Sequence, residues 1–139
     1  MHLLLDTHII LWWLKDDPLL PLRAAELIAD RRNQVFVSPL SLWEIAIKSR
    51  LSKLQADVEE VRTAALHSGF QPLPFTLQHA AAVARLPHHH RDPFDRALLA
   101  QAIVEPLYLL THDESLAIYG ERVLLVWRRR PQSPRPYRD

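Results

Sequence analysis

Short apolar runs that alternate with longer amphipathic stretches constrain the fold of this chain more than any other feature. Residues 3–5, 35–37 and 107–110 are short uninterrupted apolar runs, a pattern typical of strands buried on both faces. The stretches between them carry a helical period. Strands that alternate with helices build a parallel sheet covered on both faces. We therefore expect an α/β fold: a three-layer α/β/α sandwich with a central, mostly parallel sheet.

Local signals give approximate bounds for the elements. Ser38 before Pro39 marks a helix start, Thr76 caps a later helix, Asp92-Pro93 opens another, and Gly69 ends one. The predicted helices are residues 9–14, 21–32, 39–50, 57–68, 76–86, one that starts at Asp92-Pro93, and a short one at 115–119. The predicted strands are residues 3–5, 35–37, 73–75, 107–110 and 123–126.

The length and the charge pattern indicate one folded domain followed by a tail. A chain of 139 residues is long enough to bury a single core. Residues 1–126 hold 12 Lys and Arg against 15 Asp and Glu, whereas residues 127–139 hold five Arg, one Asp and three Pro. We predict a domain over residues 1–126 and a basic tail, rich in Pro and Arg, over residues 127–139 that is disordered.

Composition excludes several classes of function. The chain has no Cys, which rules out disulfides, thiolate metal sites and cysteine nucleophiles. It has only two Gly, too few for a glycine-rich phosphate loop, so we expect no nucleotide cofactor. No stretch has the length of a membrane span or the pattern of a signal peptide, so we expect no membrane association and a cytoplasmic location.

Four acidic residues that are far apart in sequence fall near the predicted strand ends. Asp6 directly follows the first strand, and Asp113 follows the strand 107–110. Glu44 lies two turns into the helix after strand 35–37. Asp95 lies in the first turn of the helix that precedes strand 107–110. In parallel sheets, ligand sites form at the carboxyl ends of strands. Clustered carboxylates repel one another, and a divalent cation removes that cost. Oxygen ligands of this kind favour Mg²⁺ or Mn²⁺ over Zn²⁺, and such a site suits phosphodiester hydrolysis.

Each of these acids also has a purely structural explanation. Asp6 and Asp113 could cap the helices that follow them. Glu44 could pair with Lys48 or close a capping box with Ser41. Asp92 before Pro93 has the pattern of an N-cap, and Asp95 could complete its capping box. Spacing alone therefore leaves both explanations open.

Whole sequence strings carry a more specific signal. They are LLLDTHIILWW at residues 3–13, SPLSLWEI at 38–45, HRDPFDR at 90–96 and LTHD at 110–113, in this order. Together they closely resemble the PIN-domain family, in particular its VapC-like toxins of bacterial toxin–antitoxin pairs. The resemblance covers about residues 1–126. It does not extend to the tail.

The resemblance implies a function and a set of roles. It implies cleavage of RNA that depends on Mg²⁺ or Mn²⁺ and inhibition by a cognate antitoxin protein. The Trp and Leu residues near the N-terminal helices are consistent with a dimer or antitoxin surface, and we expect a homodimer. Asp6, Glu44, Asp95 and Asp113 match the four acids of the family. Asp6 and Asp95 would be the principal metal ligands, and Glu44 and Asp113 would act directly or through water.

Further residues are candidates for supporting roles. Thr7, Asp92 and Thr111 adjoin the acids and could orient ligands or water, although strand-end hydroxyls and caps also explain them. A basic cluster that could hold RNA phosphates consists of Lys48, Arg50 and Lys53, with Arg96 beside Asp95 as a further candidate. His8 and His112 could contact RNA or transfer protons, but we expect packed, hydrogen-bonded histidines there in preference.

Three other functions remain open. A housekeeping PIN nuclease would share the chemistry without an antitoxin. A phosphoryl-transfer domain could use Asp6 as acceptor, although Asp6-Thr7-His8 lacks the Asp-x-Asp-x-Thr pattern of phosphatases. A binding module could keep the fold without catalysis, which the presence of all four acids makes the weakest option.

Overall fold

The computed structural model describes residues 1–89 and 91–127. Five parallel strands form one sheet in the order β3-β2-β1-β4-β5. They are β1 (His2–Leu5), β2 (Gln34–Val37), β3 (Gln71–Pro72), β4 (Tyr108–Thr111) and β5 (Val123–Leu125). Of the predicted tail at residues 127–139, residues 128–139 lie outside the described residues, as does His90.

Six α-helices and one 3₁₀ helix connect the strands. They are α1 (Thr7–Leu14), α2 (Leu22–Ala29), α3 (Pro39–Arg50), α4 (Val58–His67), α5 (Leu77–Val83), α6 (Pro93–Val104) and the 3₁₀ helix Glu114–Tyr119. In the described part of the chain, none of these helices combines the length and the apolar character that a membrane crossing requires.

Alternation along β1 shows how the helices cover both faces of the sheet. Leu3 and Leu5 join a core cluster with residues of α1, α2 and α4, while Leu4 packs into a second cluster with Leu98 of α6. All three leucines have no exposed surface. Successive side chains on a strand point to opposite faces, so helices on both faces bury the central strand completely. The predicted α/β/α sandwich with a central parallel sheet is confirmed.

The helix starts follow the predicted capping chemistry. Ser38 Oγ accepts a hydrogen bond from the backbone N–H of Leu40 at 3.1 Å, with Pro39 at the first helical position of α3. Thr76 caps α5 in a capping box with His79. Gly69 follows α4 with φ +83°, a conformation that a residue without Cβ adopts at no steric cost.

The predicted bounds are wrong in some details. The strand predicted at residues 73–75 lies at Gln71–Pro72, on the edge of the sheet, where a proline without an N–H is tolerated. The helix predicted at residues 21–32 ends at Ala29, and the one predicted at 76–86 ends at Val83. Strand 107–110 is shifted by one residue to Tyr108–Thr111. On α3, Trp43 is 60% exposed, whereas Leu40, three residues earlier, is buried.

Candidate active site

A pocket of about 460 Å³ lies where β1 and β4 end, and six carboxylates line it. The parallel pairing of Leu5 with Leu110 places the residues that follow the two strands side by side. The lining acids are Asp6, Glu44, Asp92, Asp95, Asp113 and Glu114. We call this cavity the acidic pocket. It brings together all four acids that the sequence predicts as catalytic, from segments that lie far apart in the chain.

Asp6 forms the buried floor of the acidic pocket. It lies between β1 and α1 and is 5% exposed. One carboxylate oxygen, Oδ1, accepts from the backbone N–H of Thr7 at 2.7 Å, and Oδ2 accepts from the hydroxyl of Thr111 at 2.6 Å. Both hydroxyl-bearing neighbours that the sequence suggested are therefore in contact with the site, and the predicted cap role of Asp6 is also present.

Burial raises the pKa of Asp6 above its usual range. The hydrogen bonds from Thr111 and Thr7 and the nearby His8 lower that pKa, and the charge of Glu44 raises it. Burial disfavours the charged carboxylate because water no longer solvates it. A bound cation beside Asp6 would stabilise the charged form.

Glu44 is held by two side chains from different directions. It is 3% exposed on α3. The hydroxyl of Thr7 donates to its Oε1 at 2.6 Å and lies 3.1 Å from the hydroxyl of Ser41. Lys48 Nζ donates to Oε2 at 2.6 Å, in the i,i+4 pair that the sequence allowed. Thr7 thereby links α1 to α3 and fixes Glu44 within reach of the pocket.

Asp92 and Asp95 enter the acidic pocket from the start of α6. Asp92 is the N-cap, and its Oδ1 accepts from the backbone N–H of Phe94 at 2.9 Å and of Asp95 at 3.3 Å. Asp95 lies in the first turn of the helix. The capping explanation thus holds for Asp92, which also lines the pocket, while Asp95 is presented to the pocket from a helix whose start is fixed by that cap.

Asp113 lies at the rim of the pocket after β4. Its Oδ1 accepts from the backbone N–H of Ser115 at 2.9 Å and from the hydroxyl of Ser115 at 2.7 Å, so it caps the 3₁₀ helix. The backbone N–H of Asp113 donates to the hydroxyl of Thr111 at 3.1 Å. Glu114 also lines the pocket. The sequence reasoning missed it, although its place directly after Asp113 was an available signal.

The donor set of the acidic pocket fits a hard divalent cation. Six carboxylates face one Lys and two His, so oxygen ligands dominate, as Mg²⁺ and Mn²⁺ prefer. Within residues 1–89 and 91–127, however, no three Asp, Glu or His side chains are arranged closely enough to hold an ion as they stand. Lys48 and Thr7 hold Glu44, and Ser115 holds Asp113. These side chains would have to turn toward an ion that binds.

The predicted basic residues occupy three different settings. Lys48 lines the acidic pocket. The hydrogen bond to Glu44 raises the pKa of Lys48 most, and the charges of Asp92 and Asp95 raise it further. Arg50 and Lys53 are exposed at the end of α3 and just beyond it, outside the acidic pocket.

Arg96 has a structural set of partners. Its guanidinium donates to the carbonyl of Pro87 at 3.0 Å and to the carbonyl of Val83 at 3.1 Å, and it lies 3.3 Å from the hydroxyl of Tyr119. These contacts tie α6 to the segment that follows α5. The placement of Arg96 therefore does not support the predicted contact with RNA.

Comparisons with known proteins agree with the fold described above. A family model for the PIN domain matches residues 3–121. Ribonuclease VapC22 of Mycobacterium tuberculosis is 29% identical over 135 residues, which cover 89% of this chain and 97% of that protein. Among solved structures, VapBC2 from Rickettsia felis bound to a DNA fragment from its promoter superposes with a TM-score of 0.64 at 19% identity, covering 90% of this chain and 97% of that one. A toxin–antitoxin complex from Klebsiella pneumoniae gives 0.60 at 19% identity, covering 87% and 94%.

Proposed function

The chain belongs to the PIN-domain family, and from this premise we propose that it is an endoribonuclease, dependent on Mg²⁺ or Mn²⁺, that acts as the toxin of a toxin–antitoxin pair. One observation carries the proposal: four acids from four separate segments, Asp6, Glu44, Asp95 and Asp113, line a single pocket at the carboxyl edge of a parallel sheet. The name of the mycobacterial relative, a ribonuclease, supports RNA as the substrate.

The carboxylates have distinct proposed roles toward the ion. Asp6 and Asp95 would hold it, and Glu44 and Asp113 would act directly or through water. A bound Mg²⁺ or Mn²⁺ would polarise the phosphoryl group and lower the pKa of a water molecule. The buried position of Asp6, whose pKa burial raises, supports its role as a ligand, because a cation would relieve the cost of its charge.

The protein's own contribution is to hold these acids in place before the substrate arrives. Thr111 and the backbone of Thr7 orient the two oxygens of Asp6, and the side chain of Thr7 orients Glu44. Side-chain partners that orient ligands commonly change metal affinity or activity about 10–100-fold when removed. Lys48 pairs with Glu44 and balances its charge. Together with Arg50 and Lys53, Lys48 is the proposed contact for RNA phosphates.

We propose a cognate antitoxin protein as the inhibiting partner and a homodimer as the assembly. Solved structures of similar fold include toxin–antitoxin complexes from Rickettsia felis, Klebsiella pneumoniae and Haemophilus influenzae, which supports an antitoxin for this chain. A small gene for a DNA-binding protein beside the gene for this chain would favour the toxin over a housekeeping PIN nuclease.

The test is cleavage of total cellular RNA by the purified full chain, freed of any copurifying antitoxin. The reactions contain Mg²⁺, Mn²⁺ or a chelator, and Asp95→Asn is run beside the wild type. Glu59→Gln is the matched control, because Glu59 is an exposed acid on α4 that pairs with Arg62 away from the acidic pocket. We expect metal-dependent cuts from the wild type and the control and none from Asp95→Asn. Cleavage by Asp95→Asn at the wild-type rate would refute the assignment.

A further inference from the structure

A second cavity shares a wall with the acidic pocket, and we propose that it binds an unpaired RNA base, guanine in preference to the others, next to the phosphate that is cut. The inference rests on the proposed function, since it assumes that RNA is the substrate. The cavity measures about 900 Å³, within the range of about 300–1,000 Å³ that ligand pockets occupy. Its walls are residues 16–22 between α1 and α2, Ala25, Trp127 after β5, and the two residues His112 and Glu114. We call it the base pocket.

The shared wall is what connects the two cavities. His112 and Glu114 line both the acidic pocket and the base pocket. The ring of His112 is packed edge-on against Trp12, with centroids 4.6 Å apart, and against His8 at 5.8 Å. This aromatic packing holds the ring of His112 in place between the two cavities. A nucleotide whose phosphate lies in the acidic pocket can therefore place its base, or the base of its neighbour, on the other side of His112.

The apolar walls of the base pocket are suited to a flat aromatic ligand. Trp127 is 45% exposed and Leu22 is 76% exposed, and Pro18 and Pro21 complete the apolar lining. Contiguous exposed apolar patches, unlike single exposed apolar residues, mark ligand-binding grooves. Proteins recognise single-stranded RNA by stacking its unpaired bases on aromatic side chains and reading their hydrogen-bonding edges. Trp127 provides the stacking surface here.

The charges of the base pocket select the base and exclude the phosphate. Its ionisable side chains among the described residues are Asp16, Asp17, Glu114 and His112, with no Lys or Arg. Ionised carboxylates only accept hydrogen bonds and repel phosphate. Guanine presents two adjacent donors, N1–H and the N2 amino group, which match the two oxygens of one carboxylate. Asp17 already accepts from the backbone N–H of Leu19 at 2.9 Å, so Glu114 and Asp16 are the proposed acceptors.

Binding to the base pocket can be measured without cleavage. The chain has four Trp, and its amide spectrum labelled with ¹⁵N shows one indole N–H signal for each. A Trp127→Leu variant of the full chain assigns the signal of Trp127, and Trp43→Leu assigns that of Trp43, a matched exposed tryptophan on α3 outside both pockets. Each sample is titrated with the RNA pentamers UUGUU, UUIUU and UUUUU, where inosine (I) lacks the N2 amino group of guanine.

We expect UUGUU to shift the Trp127 signal at lower concentration than UUIUU or UUUUU, while the Trp43 signal stays in place. In Trp127→Leu, where shifts of the backbone amide signals report binding, UUGUU should bind roughly 5- to 100-fold more weakly, the range that corresponds to loss of one stacked base. Glu114→Gln should keep the stacking but abolish the preference of guanine over inosine. A Trp127 signal that does not move with any pentamer, or that moves equally with all three, would overturn the proposal.

The same proteins separate this inference from the proposed function. Cleavage of total RNA by the wild type with unchanged cut sites in Trp127→Leu and Glu114→Gln would leave the nuclease standing and refute the base pocket. A guanine-dependent shift of Trp127 in a chain that cuts no RNA with either metal would refute the nuclease and leave the base pocket standing. A Trp127 signal that responds to the antitoxin but to no RNA would assign the cavity to protein binding and overturn the proposal.

Discussion

The two ends of helix α6 show two ways in which this protein arranges its charged groups. At its start, Asp92 and Asp95 face four further carboxylates across the acidic pocket, with one Lys as the counter-charge. Near its end, Glu105 meets His79 of α5, whose ring is 1% exposed. The Nδ1 atom of His79 accepts from the backbone N–H of Thr76 at 3.0 Å, and Nε2 lies 2.5 Å from Glu105.

The difference lies in how the charges are balanced. Because Nδ1 of His79 accepts a hydrogen bond, the ring carries its proton on Nε2 and donates it to Glu105, so the pair is self-contained. The acidic pocket instead concentrates charge of one sign, which costs stability unless a ligand supplies the opposite charge. The pair at the end of α6 thus stabilises the fold, whereas the start of α6 lies at the site proposed for a cation and a substrate. The predictions below test this contrast.

The largest effect is expected at the buried floor of the acidic pocket. Asp6→Asn removes a negative ligand but keeps an oxygen that can accept from Thr111 or Thr7. We expect RNA cleavage to fall more than about 100-fold, beyond the effect of losing an orienting partner. The midpoint of thermal unfolding without metal should stay the same or rise, because a neutral side chain replaces a charge whose burial is unfavourable. Cleavage within threefold of the wild type would remove Asp6 from the site.

At the other end of α6 the effect should appear in stability and not in catalysis. His79→Ala removes a fully buried ring and leaves a cavity. It also removes the hydrogen-bond partner of Glu105 and of the Thr76 backbone N–H. We expect the free energy of unfolding in urea to fall by about 2–4 kcal/mol. Metal-dependent cleavage at a temperature where the variant is folded should match the wild type. A loss of cleavage without a loss of stability would break the contrast between the two ends.

A smaller effect is expected from the metal itself. A ligand that binds only the folded state at ten times its dissociation constant stabilises that state by about 1.4 kcal/mol. Mg²⁺ should therefore raise the unfolding midpoint of the wild type, and a chelator should reverse the change. The midpoint of Asp6→Asn should not respond. Asp30→Asn is the control. The exposed partner Arg32 lowers the pKa of Asp30 to about 2, but this ion pair lies outside the acidic pocket. Mg²⁺ should therefore raise the unfolding midpoint of Asp30→Asn as it does that of the wild type.

Much of the local structure was predictable because it depends on neighbours in sequence. Ser38, Thr76 and Asp92 cap the helices that the sequence assigns to them, since a cap needs only a side-chain oxygen two or three residues before a free N–H. The predicted bounds that were wrong belong to elements whose ends are set by tertiary contacts. The strand at Gln71–Pro72 forms because Phe36 and Val37 of β2 pair with it, and a short segment carries little signal of that pairing.

The site was predicted in part. The four acids were chosen by position and by resemblance to the PIN-domain family, and the structure brings all four to one pocket. Glu114 was missed because the four matched motifs end at Asp113, although its place directly after Asp113 was a signal that could have found it. Arg96 was predicted to contact RNA from its place beside Asp95, but its guanidinium donates to carbonyls at the end of α5 and in the segment that follows.

The sequence by itself determined the alternation of buried strands and helices and the caps, because these depend on side chains only a few positions apart. Only the tertiary structure decided which polar groups meet. The hydroxyl of Thr111 reaches Asp6 across a separation of 105 residues, and it does so because β4 pairs with β1 in the sheet. The shared wall of the acidic pocket and the base pocket arises in the same way. His112 and Glu114 follow β4, and the order of the strands in the sheet places them beside residues that are distant in sequence.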